Sequence, residues 1–190
     1  MSEKIYYDPI SVTRRTSQVI HFVEQHDKEA MLEIILHNNE KKQTLIIMKS
    51  KKSIDILSRS LSAKAVHGNH KNEYQQETVS EFNSKKIDIL ITTDAILKTL
   101  ELKDVELVVS FDLPLSPHEY FNRVVFLNEK GNSIIFLNEA DETLLDKIEY
   151  YLKEEIQAIP LDGFVPTKAP AVELKSTKKK KARHRTKNRS

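Results

Sequence analysis

The sequence predicts an α/β protein, a parallel sheet with helices on both faces in three layers. Three observations predict it. Strand-like and helix-like hydrophobic patterns alternate along the first 159 residues. Thr44–Met48 and Asp88–Thr92 are apolar without polar alternation, the pattern of strands buried on both faces. The segments between the strands are long enough to be helical right-handed crossovers.

In chain order, Gln18–Glu24 alternates apolar residues, Lys28–His37 carries a helical period and Thr44–Met48 is a buried strand. Lys51–Leu61 repeats apolar residues at helical spacing, with Ser50 placed to cap it. Ala63–Val66 is short and extended, Lys71–Asn83 helical, and Asp88–Thr92, Leu107–Phe111 and Ser133–Leu137 are strands. Asp141–Glu155 is a closing amphipathic helix, with Leu144, Leu145, Ile148, Tyr151, Leu152 and Ile156 on one face. The expected organisation is a folded domain over 1–159, an extended linker over 160–174 and a basic tail over 175–190. The linker carries Pro160, Gly163, Pro166 and Pro170. Met1 and Ser190 read as native termini.

Composition excludes several functions. No apolar run approaches the roughly 18 residues that span a bilayer, and no secretory signal opens the chain. Zero cysteines exclude disulfides, thiolate metal sites and cysteine catalysis, and leave a cytoplasmic setting as the default. With glycine only at 68, 131 and 163, neither GxxxxGK[ST] nor GxGxxG occurs, so the common glycine-rich phosphate turns are missing. The formal charge of +2 hides two regions: residues 175–190 hold nine Lys or Arg and no acid, while the rest hold 21 basic and 28 acidic residues, a balance of −7. The tail has no hydrophobic residue but Ala182, which predicts disorder, and its charge suits RNA or DNA phosphates. A solubilising tail or an address signal is the alternative.

Ligands of open parallel sheets bind beyond the carboxyl ends of the strands, which selects Lys49–Lys51, His67–His70, Thr92–Asp94 and Asp112–Pro114. In order, these segments resemble the C-terminal RecA-like lobe of DEAD-box RNA helicases over about residues 10–165. Gln18-Val-Ile-His-Phe-Val opens the resemblance, and Leu45-Ile-Ile-Met-Lys-Ser-Lys51 matches the motif IV strand with its Thr-Lys pair. His67-Gly68 matches HG, with Phe82 fifteen residues on; Ile89-Leu-Ile-Thr-Thr-Asp94 matches ILVxTD, and Val108-Val-Ser-Phe-Asp-Leu-Pro114 matches VIxxDxP. Tyr120-Phe-Asn-Arg123 stands where the family has YxHR, and Ile159-Pro160 through Gly163-Phe164 is similar to the bacterial RhlE-like branch.

The resemblance implies a RecA-like fold of the P-loop NTPase type and a set of site residues. For RNA it implies Ser50, Lys51, Gly68, Gln75, Thr93 and Asp94, to which the tail adds Lys178, Lys179, Lys180, Lys181, Arg183 and Arg185. Gln75 replaces the arginine of the family's QxxR, removing a charge-assisted phosphate contact while keeping a donor. For the nucleotide it implies Lys98 and Glu101, where the family has Arg-Gly-Leu-Asp. The family's HRxGRxGR element, whose later arginines stabilise the transferring phosphoryl group, here reads Asn122-Arg123-Val-Val-Phe126-Leu-Asn-Glu129 and is about three residues short. Arg123 is its remaining catalytic candidate, with packing or pairing to Glu119 as the structural alternative.

The resulting expectation is an RNA-binding helicase lobe without ATPase activity of its own, a pseudo-helicase or ribonucleoprotein accessory factor. The alternative is a lobe that completes an ATPase with a separate N-terminal lobe, when ATP and Mg would be required; a protein-interaction domain is the third reading. Asp94 could equally be a helix cap, and Asp112-Leu-Pro114 a strand terminator. His67 and His70 suggest a metal pair, but no third ligand lies nearby in sequence and no HExxH is present, so no metal is expected.

Overall fold

Seven strands run side by side in the order β3-β4-β2-β5-β6-β1-β7, every pairing parallel. They are β1 (Ser17–Phe22), β2 (Thr44–Ile47), β3 (Lys64–Val66), β4 (Ile89–Thr92), β5 (Val105–Ser110), β6 (Leu127–Leu137) and β7 (Gln157–Ala158). The helices are α1 (Lys28–Asn38), α2 (Lys51–Ser60), α3 (Asn72–Asn83), α4 (Asp94–Leu97), α5 (Pro117–Val124) and α6 (Glu142–Leu152). This computed structural model describes residues 11, 13, 14 and 16–168, so Lys178, Lys179, Lys180, Lys181, Arg183 and Arg185 lie outside the described residues.

The apolar strand runs are explained by burial on both faces. Leu45 and Ile47 enter one core layer, Ile46 and Met48 the other; Leu90 and Ile91 divide in the same way. One layer receives Met31, Leu32 and Ile35 of α1 with Ile54 and Leu57 of α2. The opposite layer receives Val79 and Phe82 of α3, Tyr120, Phe121 and Val124 of α5, and Ile148 and Leu152 of α6. Each such side chain is worth about 1.5–3 kcal/mol on burial, so the two layers carry the fold. This is the predicted three-layer RecA-like arrangement.

Helix starts follow local chemistry. Ser50 Oγ accepts from Ser53 N at 3.3 Å, and Ser116 Oγ accepts from Glu119 N at 3.2 Å with Pro117 in the first turn of α5. Sequence periodicity does not reveal α5 or β7, which are eight and two residues long. β6 starts at Leu127 rather than Ser133. A register shift explains the difference: Val105 pairs with Leu127 but Leu107 with Asn132, so Asn128–Gly131 bulges and its polar residues hide the strand.

Parallel pairing aligns the strand ends in one row, Val66, Thr92, Ile47, Ser110, Ile135 and Ile20. The segments after these residues therefore share one edge. Among the described residues no helix is long and apolar enough to cross a membrane.

Candidate nucleic-acid interface

The β3, β4 and β2 ends bring the predicted RNA residues together. Lys51 begins α2 beyond β2, and its Nζ donates to Asn69 Oδ1 at 2.9 Å across the end of β3. A Cβ on Gly68 would lie 3.6 Å from Lys51 Nζ and from Ile96 Cγ2, ordinary contact, so space alone does not demand glycine there. Gln75, in α3, donates through Nε2 to His70 O at 2.8 Å and more weakly to His67 O at 3.4 Å, closing the 67–70 turn. Thr93 precedes α4 and is buried, and its Oγ1, like that of Thr92, has no hydrogen-bond partner among the described residues.

The same turn is held from beneath by a residue that sequence spacing did not reveal. His67 Nδ1 accepts from Asn69 N at 3.3 Å, so Nε2 carries the proton and donates to Asp55 Oδ1 at 3.0 Å. His70 Nδ1 accepts from His67 N at 3.3 Å, and its ring stacks on that of His67 with centroids 3.8 Å apart. Asp55 supplies the third potential ligand: one ligating atom from each of the three residues lies within 4.8 Å of the others. The bonds between them make the trio a clasp that ties α2 to the 67–70 turn. Burial, then the nearby His67, lowers the His70 pKa, while Asp55 opposes them.

Along the same edge, Arg123 is fully buried. Its Nε and Nη2 donate to the two Asp94 carboxylate oxygens at 2.7 and 2.6 Å, and its Nη1 donates to Asp112 O at 2.7 Å. The partner is thus Asp94 rather than Glu119, which instead accepts from Leu115 N at 2.7 Å. The fork binds α5 to the ends of β4 and β5, and places two residues predicted for different substrates, Arg123 and Asp94, in one ion pair. Next to them, burial pushes the Tyr120 hydroxyl pKa up, and that hydroxyl donates to Gln18 Oε1.

Phe126 and Glu129 occupy the stretch that follows α5. Phe126 packs against the larger core cluster, whereas Glu129 is exposed in the bulged start of β6. A Cβ on Gly131 would come within 2.8 Å of Leu127 Cδ2, so the bulge folds tightly onto itself. Lys98 and Glu101 are both exposed; Lys98 Nζ lies 3.3 Å from His118 Nε2. Glu101 lines a groove of about 660 Å³ between α3 and the 99–103 loop, together with Asn72, Gln75, Asn83, Thr99 and Lys103. The predicted nucleotide residue Glu101 and RNA residue Gln75 therefore share one groove, and Lys98 stands outside it.

A further network joins this edge to the other side of the sheet. Buried Lys28 donates to Phe111 O at 2.8 Å and to Asp112 Oδ1 at 3.2 Å, while Asp112 Oδ2 accepts from Lys49 N at 2.9 Å. The Asp112-Leu-Pro segment thus carries a carboxylate that ties α1, β5 and β2 together.

Residues 27–125 match the helicase conserved C-terminal domain. The chain is 30% identical over 122 residues to DEAD-box ATP-dependent RNA helicase 40 of Arabidopsis thaliana, covering 62% of this chain and 11% of that protein. It is 25% identical over 177 residues to the ATP-dependent RNA helicase RhlB of Xanthomonas axonopodis pv. citri (strain 306), covering 88% and 31%. The chain therefore spans less than a third of these relatives' lengths. A DEAD-box protein from Methanococcus jannaschii superposes with a TM-score of 0.70 at 26% identity, over 78% of this chain and 43% of that one. Escherichia coli SrmB, in a complex with regulator of ribonuclease activity A, gives 0.73 at 21% identity over 82% and 98%, a likeness of fold alone.

Proposed function

The chain belongs to the helicase conserved C-terminal domain family, in the form of a DEAD-box C-terminal lobe, and from this premise we propose that it binds single-stranded or structured RNA without hydrolysing ATP by itself. One observation carries the reading. Where the family's later arginines belong, Phe126 packs half-buried against the core and Glu129 carries the wrong charge, and the remaining Arg123 has its fork filled by Asp94 and Asp112. A phenyl ring offers no N–H donors and a carboxylate repels phosphate, so no group among these three is free to stabilise a transferring phosphoryl.

The β3-β4-β2 half keeps groups suited to a phosphate backbone. Lys51 offers charge and Gln75 holds the turn bearing Gly68, while the unpaired Thr93 hydroxyl lies buried behind them. Asp94 acts through Arg123, holding the start of α4 in place. Residues 175–190 add sequence-independent attraction, so the grip should fall steeply with salt. Kinship to the RhlE-like branch rests on the Ile159–Phe164 tract and the basic tail, and assignment to the cytoplasm on composition. The test is RNA affinity measured across a salt series, with and without residues 175–190, alongside ATP turnover of the same protein. Tight, salt-sensitive binding with no turnover supports the reading; turnover by the chain unaided overturns it.

The short coverage of the helicase relatives favours one second reading, in which a separate N-terminal lobe brings ATP and Mg to this edge. Lys98 and Glu101 would then face the nucleotide. Mixing the two lobes should stimulate ATP turnover, and Glu101→Ala should remove the gain. An accessory role on a ribonucleoprotein remains compatible with the first reading and requires no such stimulation.

A further inference from the structure

Beyond the end of β3, three aromatic rings stand in a row. The rings of His67 and His70 stack with centroids 3.8 Å apart and planes 25° from parallel, and Tyr74 meets His70 edge-on at 4.8 Å with its plane turned by 68°. The row is fixed at its inner end. His67 is 3% exposed, with Nε2 3.0 Å from Asp55 Oδ1 in α2, and His70 Nδ1 accepts from His67 N at 3.3 Å. Gln75 Nε2 closes the same turn by donating to His70 O at 2.8 Å. Burial, then His67, lowers the His70 pKa, so at neutral pH the stacked imidazoles are not two cations in contact.

The outer end of the row reaches the surface. Tyr74 is 36% exposed in the first turn of α3, where the stripe that continues into buried Thr78 and Phe82 runs out to solvent. A ring held in this way offers a face on which an unpaired nucleobase can stack, because every base has a π-face. The phosphate-attracting group stands close by: Lys51 Nζ donates to Asn69 Oδ1 at 2.9 Å, and Asn69 adjoins His70. Charge separates the two roles. Glu73 and Glu77, both exposed, flank Tyr74 along α3 and disfavour a phosphate there, whereas Lys51 attracts one. The uncharged base therefore suits the ring, and the backbone suits the lysine.

We propose that Tyr74, backed by His70 and His67, is a stacking platform for one unpaired base of a single-stranded RNA whose backbone lies on Lys51. The inference rests on the RNA-binding reading above and deepens it: the chain holds a base as well as phosphates, without reading which base it is. Stacking and phosphate contact differ in their signatures. A stacked base contributes affinity that salt does not screen, and only a ligand that carries bases can supply it, whereas a phosphate contact changes the salt slope and needs no base.

The experiment measures affinity by fluorescence anisotropy across a salt series, for labelled oligo-uridine and for a ribose-phosphate oligomer of the same length without bases. The proteins are the full unaltered chain, Tyr74→Ala, Tyr74→Leu and Tyr74→Phe. The unaltered chain should prefer oligo-uridine by about fivefold or more, the low end of what one stacked base contributes. Tyr74→Ala and Tyr74→Leu should remove that preference while leaving affinity for the base-free oligomer and the salt slope unchanged, and Tyr74→Phe should keep it. Tyr74→Leu preserves apolar bulk beside His70 and keeps the test decisive if the alanine variant does not fold. No preference in the unaltered chain, a preference that survives Tyr74→Leu, or equal losses on both oligomers overturns the platform and leaves the phosphate grip standing. A chain that binds neither oligomer overturns the RNA reading together with the platform.

Discussion

Along the strand-end edge, the half built by β3, β4 and β2 presents the exposed cation of Lys51, while the half built by β5, α5 and β6 turns its one arginine inward. The backbone is the same on both sides: parallel strands of one sheet, ends in register. What differs is whether the polar groups have found partners within the protein. In the first half Lys51 makes a single, exposed contact; in the second Arg123 makes three short bonds, and Phe126 packs against the core. The difference teaches that a RecA-like edge can keep its capacity to hold a polyanion while its neighbouring segment becomes ordinary interior, because the two draw on different strand ends.

The largest expected effect breaks the closed half. Arg123→Ala leaves the Asp94 carboxylate and Asp112 O without their donors, and loss of one partner of such a buried pair costs about 3 kcal/mol or somewhat more, read as a lower urea midpoint. Arg123→Lys should recover only part, because an ammonium cannot span both carboxylate oxygens and the carbonyl. A midpoint unchanged by Arg123→Ala would mean that the guanidinium is held loosely and is available to a ligand, erasing the contrast.

Next in size is the bulge before Asn132. At Gly131 a new Cβ would meet Leu127 Cδ2 and Cβ at 2.8 and 2.9 Å, and Asn128 O at 3.2 Å. Gly131→Ala should therefore cost about 1–3 kcal/mol by overpacking, again in urea unfolding. Gly68→Ala, whose Cβ meets atoms at 3.6 Å, should leave stability almost unchanged and serves as its counterpart in the open half.

The contrast was legible in the sequence only on one side. The strands Thr44–Ile47 and Ile89–Thr92 announced themselves because burial on both faces forbids polar alternation, and Ser50 announced the start of α2 because a hydroxyl before a periodic run satisfies an orphan N–H. The open half was readable for the same reason: its residues follow strands directly, where polarity after an apolar run stands out. The closed half was not. Arg123 was visible as a residue, but its partner Asp94 lies 29 positions away and depends on α5, whose eight residues carry no periodicity long enough to read. Asp55 joined His67 only through the packing of α2 beside β3, and Asp27 met Thr167 across 140 positions. Pair identity over such separations is set by topology, which local pattern does not encode.

A smaller effect sharpens the open half. Lys51→Ala removes one exposed cation, and should weaken RNA binding several-fold with no effect on the unfolding midpoint. For a single strand, one lost phosphate contact lowers the slope of log affinity against log salt by about 0.7. A loss of affinity with the slope unchanged would show that Lys51 acts by holding Asn69 rather than by meeting phosphate.

The smallest effect concerns the strap of residues 159–167, which Thr167 fastens to Asp27 beside this half, and its sign follows from that carboxylate. Thr167 donates twice to that carboxylate, through its hydroxyl and its backbone N–H, and these bonds favour the charged form, lowering the pKa below the ordinary carboxylate value against the opposing influence of burial. His26, with Nε2 at 3.5 Å from Oδ2, adds to the lowering when protonated. A depressed folded value means that the unfolded chain binds the proton more readily. The anchor's contribution is therefore complete above the unfolded carboxylate pKa of about 4 and declines as acid carries the solution through the lower folded value. The Thr167 amide proton chemical shift should stay level from neutral pH down to about 4 and move only below it. A shift that already moves well above that pH would show that the Asp27 carboxylate does not control the strap.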